Sequence, residues 1–353
     1  MPELAATDDA SGQRRPRWMP VAHGDRHGHT AAAPPRQPAS GPGGAEYVHA
    51  ALSQELVGLG AQACWVFAPA GTVPAGAPVV VFFHGWAGLN PANYGGWIVH
   101  LVRRGAIVLY PVYQASLIAS FPAMMADAIT GVRVALSHLQ RRGLTGQAQP
   151  RMAFAGHSLG GLIAAKCAAF GTAMDLPVPA CLMLVQPGWG LRFTVDIGDL
   201  ANVDSSTLAV LVVGEDDLHL PSEQPRLMFD ALSAVPVANR NLLLLRSDHH
   251  GTPPLVADHS APLSERLDVG PRLGRAASWV REHAMRESGI RRPTADAHDF
   301  YAHWKLLDAL MNAGFAGRDR DVALGNTAAQ RYMGTWSDGT PVKELIVLAG
   351  AGA

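Results

Sequence analysis

Short apolar runs alternate with longer stretches of helical periodicity along most of the chain. The apolar runs predict strands over 64–67, 79–83, 106–110, 152–155, 180–185, 208–213 and 241–245. The periodic stretches predict helices over 96–103, 124–142, 159–170, from about 222, over 271–286 and over 298–311. Strands that alternate with helices are typical of a parallel sheet covered on both faces. The predicted fold class is therefore α/β, with a mostly parallel central sheet and helices on both faces.

The two ends of the chain depart from this alternation. Residues 1–43 contain the run PRQPASGPGG and little hydrophobic periodicity, so we expect a disordered tail. Residues 44–287 carry the alternating pattern and are predicted to form one large domain. For residues 288–353 we expect an extension packed on or beside that domain. Histidines 23, 27 and 29 of the tail lack a folded frame, so we assign them no metal site.

The composition of the chain argues against several classes of function. The 353 residues include 28 Lys+Arg and 29 Asp+Glu, for a net charge of −1. With no long basic run, the chain offers little field for nucleic acid, and we expect no nucleic-acid partner. The three cysteines are widely spaced in apolar stretches, which predicts buried reduced thiols and neither disulfides nor zinc.

The lengths of the apolar segments indicate whether the chain could cross a membrane or carry a signal peptide. Residues 56–102 contain no Asp, Glu, Lys or Arg, yet prolines and glycines cut them into runs too short to span a bilayer. No apolar stretch follows the basic residues near the start, so no signal peptide is visible. We expect a cytoplasmic protein without a membrane span, with secretion as the alternative if the true start of the chain differs. The sequence leaves the oligomeric state open.

A candidate nucleophile follows the strand predicted over 152–155. The motif Gly156-His-Ser158-Leu-Gly160 leads from that strand directly into an apolar helix. Such a sharp turn exposes the serine hydroxyl at the carboxyl edge of the sheet, with the helix N-terminus behind it. Because a free serine hydroxyl is a poor nucleophile, Ser158 needs a histidine base and a carboxylate that orients that base.

The candidate carboxylates follow strand 208–213 in the run Gly-Glu-Asp-Asp-Leu-His-Leu-Pro. Glu215, Asp216 and Asp217 compete for the role, and we favour Asp217 because it lies past the glycine turn. Asp216 is the main alternative, since it can instead cap the loop backbone. For His219 we expect a place in solvent or against the loop.

The candidate bases follow strand 241–245. We favour His250, because Gly251 after it lets the side chain turn back over the sheet edge, and keep His249 as the alternative. We expect His259, further along, to be structural. A zinc site built from His84, His249 and His259 lacks the HExxH spacing, so the sequence predicts no metal there. We expect no other cofactor.

The loop after strand 79–83 contains His84-Gly85-Trp86 and is a candidate for oxyanion binding. Gly85 permits a turn that aims the Trp86 N–H at the site, and the Leu159 N–H is the expected second donor. For His84 we expect a role in bracing the loop. Aromatic residues in or near the loops after the strands are candidates to line a substrate site: Trp86, Tyr94, Tyr113 and Trp189.

Taken together, HGW, GHSLGG, GEDDLHLP and HHG resemble the α/β-hydrolase superfamily over residues 45–285. The chain looks most similar to the branch of dienelactone hydrolases and cutinase-like esterases. The resemblance implies that the domain is catalytic: a serine hydrolase that cleaves small-molecule carboxylic esters through an acyl-enzyme, with Ser158, His250 and Asp217 as its triad. Residues 186–206 are too few for the helical lid that many members insert there, so we expect an open cleft.

Two other functions remain open at this point. An acyltransferase or a perhydrolase would use the same triad with a different acceptor. A non-catalytic, hydrolase-like module that binds a ligand would usually lack one of the three triad members.

Overall fold

The computed structural model describes residues 31–144, 151–190, 193–220, 222–271 and 294–353. Residues 32–353 form one compact unit, to which every element below belongs. Most of the predicted tail and all but the first residue of the helix predicted over 271–286 lie outside the described residues. No helix among the residues described is long and apolar enough to cross a membrane.

The described residues build one sheet of nine strands. In chain order the strands are β1 Leu52–Val57, β2 Cys64–Pro69, β3 Val79–Phe83, β4 Ile107–Pro111, β5 Met152–His157, β6 Cys181–Val185, β7 Leu208–Gly214, β8 Arg240–Leu245 and β9 Ile346–Gly350. Across the sheet the order is β1-β2-β4-β3-β5-β6-β7-β8-β9. Strands β3 to β8 run parallel, whereas β1, β2 and β9 join through antiparallel pairs.

Helices cover both faces of the sheet. Among the residues described, the α-helices are α1 Gly95–Arg103, α2 Phe121–Arg141, α3 Leu159–Phe170, α4 Gln224–Ala231, α5 Trp304–Ala316, α6 Arg320–Ala323 and α7 Ala328–Arg331. One π-helical turn, Asp299–His303, leads into α5. Short 3₁₀ turns lie at Gly60–Gln62, Pro91–Tyr94, Gly171–Met174, Gly198–Asn202 and Val237–Asn239.

The alternation of side chains along β3 explains the two layers. Val80 and Phe82 pack with α1 and α5 on one face, whereas Val79, Val81 and Phe83 pack with α2, α3 and α4 on the other. Because both faces are covered, all five residues are fully buried, which is why the central strands are continuous apolar runs. The structure confirms the predicted fold class and all seven predicted strands.

The two strands that the pattern did not reveal are the edge strands. The residues of β1 are only partly buried or exposed, and those of β9 likewise, so neither carries a continuous apolar run. An edge strand has a neighbouring strand on one side only, so fewer of its side chains are buried. Its hydrophobic signal in the sequence is correspondingly weak.

Residues 31–43 correct the prediction of a disordered tail in that part of the chain. The Ala32 carbonyl accepts a hydrogen bond from the Thr252 N–H at 2.9 Å, and the Gly43 N–H donates to Asp308 Oδ2 at 2.8 Å. Ala32 is buried in the core. The segment is held by backbone hydrogen bonds, which need no hydrophobic periodicity and so left no signal in the pattern.

The C-terminal residues are part of the same core and not an appendage beside it. Helix α5 contributes buried apolar residues to one face of the sheet, and β9 pairs with β8. Asp308 of α5 is 6% exposed, and its Oδ2 lies 2.9 Å from His100 Nε2 and 3.1 Å from Arg104 Nε.

We expect Asp308→Ala to lower the free energy of unfolding by about 3 kcal/mol, because it removes the buried carboxylate that pairs with the partly buried Arg104 and accepts from the Gly43 N–H. Urea denaturation measures this change. The control is Asp230→Ala, which removes an exposed ion pair with Arg226 at 3.0 Å and is expected to cost less than about 1 kcal/mol. Equal losses in the two variants would contradict this assignment.

Candidate active site

Ser158 stands at the turn between β5 and α3 with a backbone conformation that few residues adopt. Its φ is 56° and its ψ is −125°. The Ser158 N–H donates to the Val185 carbonyl at 3.0 Å, and its carbonyl accepts from the Gly161 N–H at 2.9 Å. A non-glycine residue held in this region stores about 1–3 kcal/mol of strain and persists only when its surroundings determine it. The turn directs the Ser158 side chain out of the sheet edge.

Two glycines make this turn possible by the absence of a side chain. A Cβ at Gly156 would collide with the Gly160 carbonyl, and a Cβ at Gly160 would collide with the carbonyls of Phe83 and His84. The G-x-S-x-G spacing thus follows from the close approach of α3 to β5 and to the loop after β3. This close packing gives Ser158 a fixed position.

The side chains of Ser158, His259 and Asp217 form one hydrogen-bonded row. His259 Nε2 lies 2.9 Å from Ser158 Oγ, and His259 Nδ1 lies 2.8 Å from Asp217 Oδ2. Asp217 and His259 are 10% and 16% exposed, so the carboxylate and the imidazole interact largely away from solvent. The geometry allows His259 to accept the serine proton while Asp217 holds its Nδ1–H.

The choice of His250 as the base is wrong. His250 lies 2.7 Å, through Nε2, from Asp338 Oδ2, and its side chain is 38% exposed. His249, the alternative, is exposed as well. Asp248 and Leu255 form an isolated antiparallel bridge, so the chain between them turns back on itself at the C-terminal segment. His259, which was predicted to be structural, instead lies in contact with Ser158.

His259 lies just beyond the point at which this loop returns to the edge of the sheet. The Ala257 carbonyl accepts from the Asp216 N–H at 3.1 Å, and the Asp258 carbonyl accepts from Gln186 Nε2 at 2.5 Å. Asp258 Oδ1 then accepts the Ser260 N–H at 2.8 Å, which closes a turn around His259. The Asp-x-Ser run around His259 is the one local signal by which the sequence indicated this turn.

Among the three acidic residues after β7, only Asp217 contacts His259. Its Oδ1 also accepts the His219 N–H at 3.0 Å, which fixes the carboxylate. Asp216 accepts from the Ser247 hydroxyl at 2.5 Å, and Glu215 accepts from the Ser247 N–H at 2.9 Å. The two neighbours thus brace the loop after β8. The exposed His219 ring stacks on the His259 ring, with centroids 5.1 Å apart.

The loop after β3 is braced by buried polar side chains. His84 Nδ1 lies 2.7 Å from the Gly85 carbonyl, and its Nε2 lies 2.9 Å from the Val112 carbonyl. Burial lowers the pKa of His84 to about 4. The Ala87 N–H donates to Gln114 Oε1 at 2.8 Å. Within the described residues, no cluster of three His, Cys, Asp or Glu side chains is arranged to hold a metal ion.

Two of the four aromatic residues predicted to line a substrate site do not line it. Tyr94 and Tyr113 are 2% and 1% exposed, because their rings lie inside the fold and their hydroxyls bond to the loop after β3. Trp86 and Trp189 are partly buried at the same edge of the sheet. Trp86 packs on Phe193, with ring centroids 5.9 Å apart, and Phe193 packs on Phe121 at 6.3 Å.

Comparisons with known proteins bear on the fold. A family model described as "alpha/beta hydrolase fold" matches residues 80–256, which is half of the chain. No curated protein sequence matches. Among solved structures, the chain is similar to carboxyl esterase 2 from the mycorrhizal fungus Tuber melanosporum, with 17% identity and a TM-score of 0.43. That alignment covers 56% of this chain and 77% of the fungal one.

The contact with His259 predicts which histidine activates Ser158. We expect His259→Ala to slow labelling of Ser158 by a fluorophosphonate probe by at least about 10³-fold, because the serine loses its base. Gel fluorescence against time measures the rate. His250→Ala is the matched control and is expected to label like the wild type. Slow labelling of His250→Ala, with His259→Ala unaffected, would reverse the assignment.

Proposed function

The chain belongs to the alpha/beta hydrolase fold family, and from this premise we propose that it is a serine hydrolase that cleaves carboxylic esters through an acyl-enzyme. The observation that carries the proposal is the 2.9 Å contact between His259 Nε2 and Ser158 Oγ, with Asp217 on the other side of the same ring. Because all three triad positions are filled and in contact, a non-catalytic binding module is disfavoured.

In the first half of the proposed reaction, Ser158 Oγ attacks the ester carbonyl carbon while His259 Nε2 takes the serine proton. Asp217 stays ionised and stabilises the imidazolium that forms. The tetrahedral intermediate collapses as His259 returns the proton to the leaving alcohol. In the second half, His259 activates a water molecule, which attacks the acyl-enzyme and releases the acid.

Negative charge on the substrate oxygen requires N–H donors beside Ser158. We assign the Leu159 N–H, at the first residue of α3, and the Trp86 N–H as these donors. The N-terminus of a helix favours negative charge, which adds to the effect of the Leu159 N–H. A Cβ built on Gly85 would lie 3.3 Å from Ser158 Cβ, so the loop carrying Trp86 passes directly beside the nucleophile.

The acyl group is proposed to lie against the rings of Trp86 and Phe193. These rings pack on each other, and Phe121 extends the same apolar surface. Trp189 follows β6 at this edge, and its N–H donates to Gln224 Oε1 at 2.9 Å. An apolar, aromatic surface next to the site favours esters with alkyl or aryl acyl groups over charged ones.

We expect Ser158→Ala to lower kcat for p-nitrophenyl butyrate by at least about 10⁴-fold, since no acyl-enzyme can form. Release of p-nitrophenol measures the rate. The exposed Ser205→Ala is the control and is expected to keep wild-type activity. A Ser158→Ala protein that hydrolyses the ester at the wild-type rate would contradict the proposal.

The aromatic surface predicts a dependence on chain length. Phe193→Ala is expected to lower kcat/KM for p-nitrophenyl octanoate about 10-fold more than for p-nitrophenyl acetate, because only the longer acyl chain reaches the missing ring. The control is Phe315→Ala, which removes a half-buried ring stacked under Arg151 in another part of the fold. An equal effect of Phe193→Ala on the two esters would exclude Phe193 from the acyl site.

A further inference from the structure

A chain of hydrogen bonds runs beneath the candidate site without including any of the triad side chains. The Gly85 N–H donates to the Tyr94 hydroxyl at 3.0 Å. The Tyr94 hydroxyl lies 2.8 Å from His157 Nδ1, and His157 Nε2 lies 2.9 Å from the carbonyl oxygen of His259. Two side chains thus connect the backbones of two loops that are distant in sequence.

Chemistry fixes the direction of every proton in this chain. A backbone N–H can only donate, and a carbonyl oxygen can only accept. Because the His259 carbonyl must accept, His157 carries its proton on Nε2, and its Nδ1 is left as an acceptor. The Tyr94 hydroxyl therefore donates to His157 Nδ1 while it accepts from Gly85. The four groups form a single, fully paired row, in which each bond polarises the next.

Burial keeps the two side chains in the neutral forms that this row requires. Tyr94 and His157 are 2% and 4% exposed. Burial lowers the pKa of His157 well below its usual value and raises the pKa of Tyr94. A charged imidazolium would direct a second N–H at the Tyr94 hydroxyl and break the order of donors. Neither residue changes charge near neutral pH, so the row persists there.

Three members of this row adjoin the groups of the proposed reaction. Gly85 precedes Trp86, the proposed oxyanion donor, and His157 precedes the nucleophile Ser158. The His259 carbonyl belongs to the base itself, whose ring centroid lies 4.8 Å from that of His157. A shift of any one loop would therefore strain a bond to the others.

We propose that Tyr94 and His157 are positioning residues, which hold the oxyanion loop and the base in register with Ser158. The proposal rests on the proposed function. Neither side chain reaches the substrate. Tyr94 orients the Gly85 peptide, and with it the next N–H, while His157 anchors the backbone from which the His259 ring projects. The row thus maintains the geometry that the tetrahedral intermediate needs, and it does not contribute to ground-state binding of the ester.

The test compares Tyr94→Phe, His157→Leu and the double variant with the full-length wild type on p-nitrophenyl butyrate. We expect kcat to fall about 10- to 100-fold in each single variant, with KM changed by less than about 3-fold, because misplaced reacting groups cost rate more than binding. Affinity for an alkylboronic acid, which mimics the tetrahedral intermediate, should fall by the same factor as kcat/KM. The double variant should lose no more than the worse single variant, because the two residues act as one unit.

The matched control is Tyr47→Phe, which removes a part-buried hydroxyl that contacts Gln37 and His100. It is expected to keep the wild-type kcat and boronate affinity. Wild-type kcat in Tyr94→Phe, a loss confined to KM, or losses that multiply in the double variant would each overturn the proposal. If His157→Leu does not fold, Tyr94→Phe decides alone. A wild type without Ser158-dependent hydrolysis overturns the proposed function as well, whereas an active wild type with an unaffected Tyr94→Phe overturns this proposal only.

Discussion

The positive φ of Ser158 is the constraint on which the rest of the site depends. A serine does not hold a φ of 56° by its own preference, so β5, α3 and the loop after β3 must enforce it. They do so through close backbone contacts at Gly156 and Gly160, where any side chain would collide with carbonyl oxygens. The same contacts bring the loop after β3 beside the nucleophile. Strain at one residue and the proximity of the reacting groups therefore have a common cause.

The C-terminal segment stabilises the other half of the site. Asp248, at the start of the loop that leads to His259, accepts from the Lys343 N–H at 3.0 Å and from Trp336 Nε1 at 3.3 Å. His250 of the same loop pairs with Asp338. Since the matched family segment ends at residue 256, both His259 and the C-terminal residues that contact its loop lie beyond it. The loop that carries His259, the proposed base, thus contacts a C-terminal segment that also completes the sheet with β9.

The features that the sequence predicted are determined by residues close together in the chain, whereas the features it missed depend on contacts between distant segments. The central strands and the turn at Ser158 are local: buried apolar runs and two glycines are sufficient to identify them. Asp217 follows its strand directly, and its position was predictable for the same reason. His259 was not, because thirteen residues lie between it and the end of β8 and their path depends on contacts with Asp338 and Trp336. His157 gave no signal, since the partners of its ring come from two separate segments.

The central claim is that Ser158 becomes acylated because His259 accepts its proton. Rapid chemical quenching during turnover of a p-nitrophenyl ester, followed by mass spectrometry of the digested protein, tests this claim most directly. We predict one acyl group per chain, located on the peptide that contains Ser158, which accumulates as fast as the first equivalent of p-nitrophenol is released. An acyl group on another residue, or turnover at the same rate with no acylated protein at any time, would contradict the account.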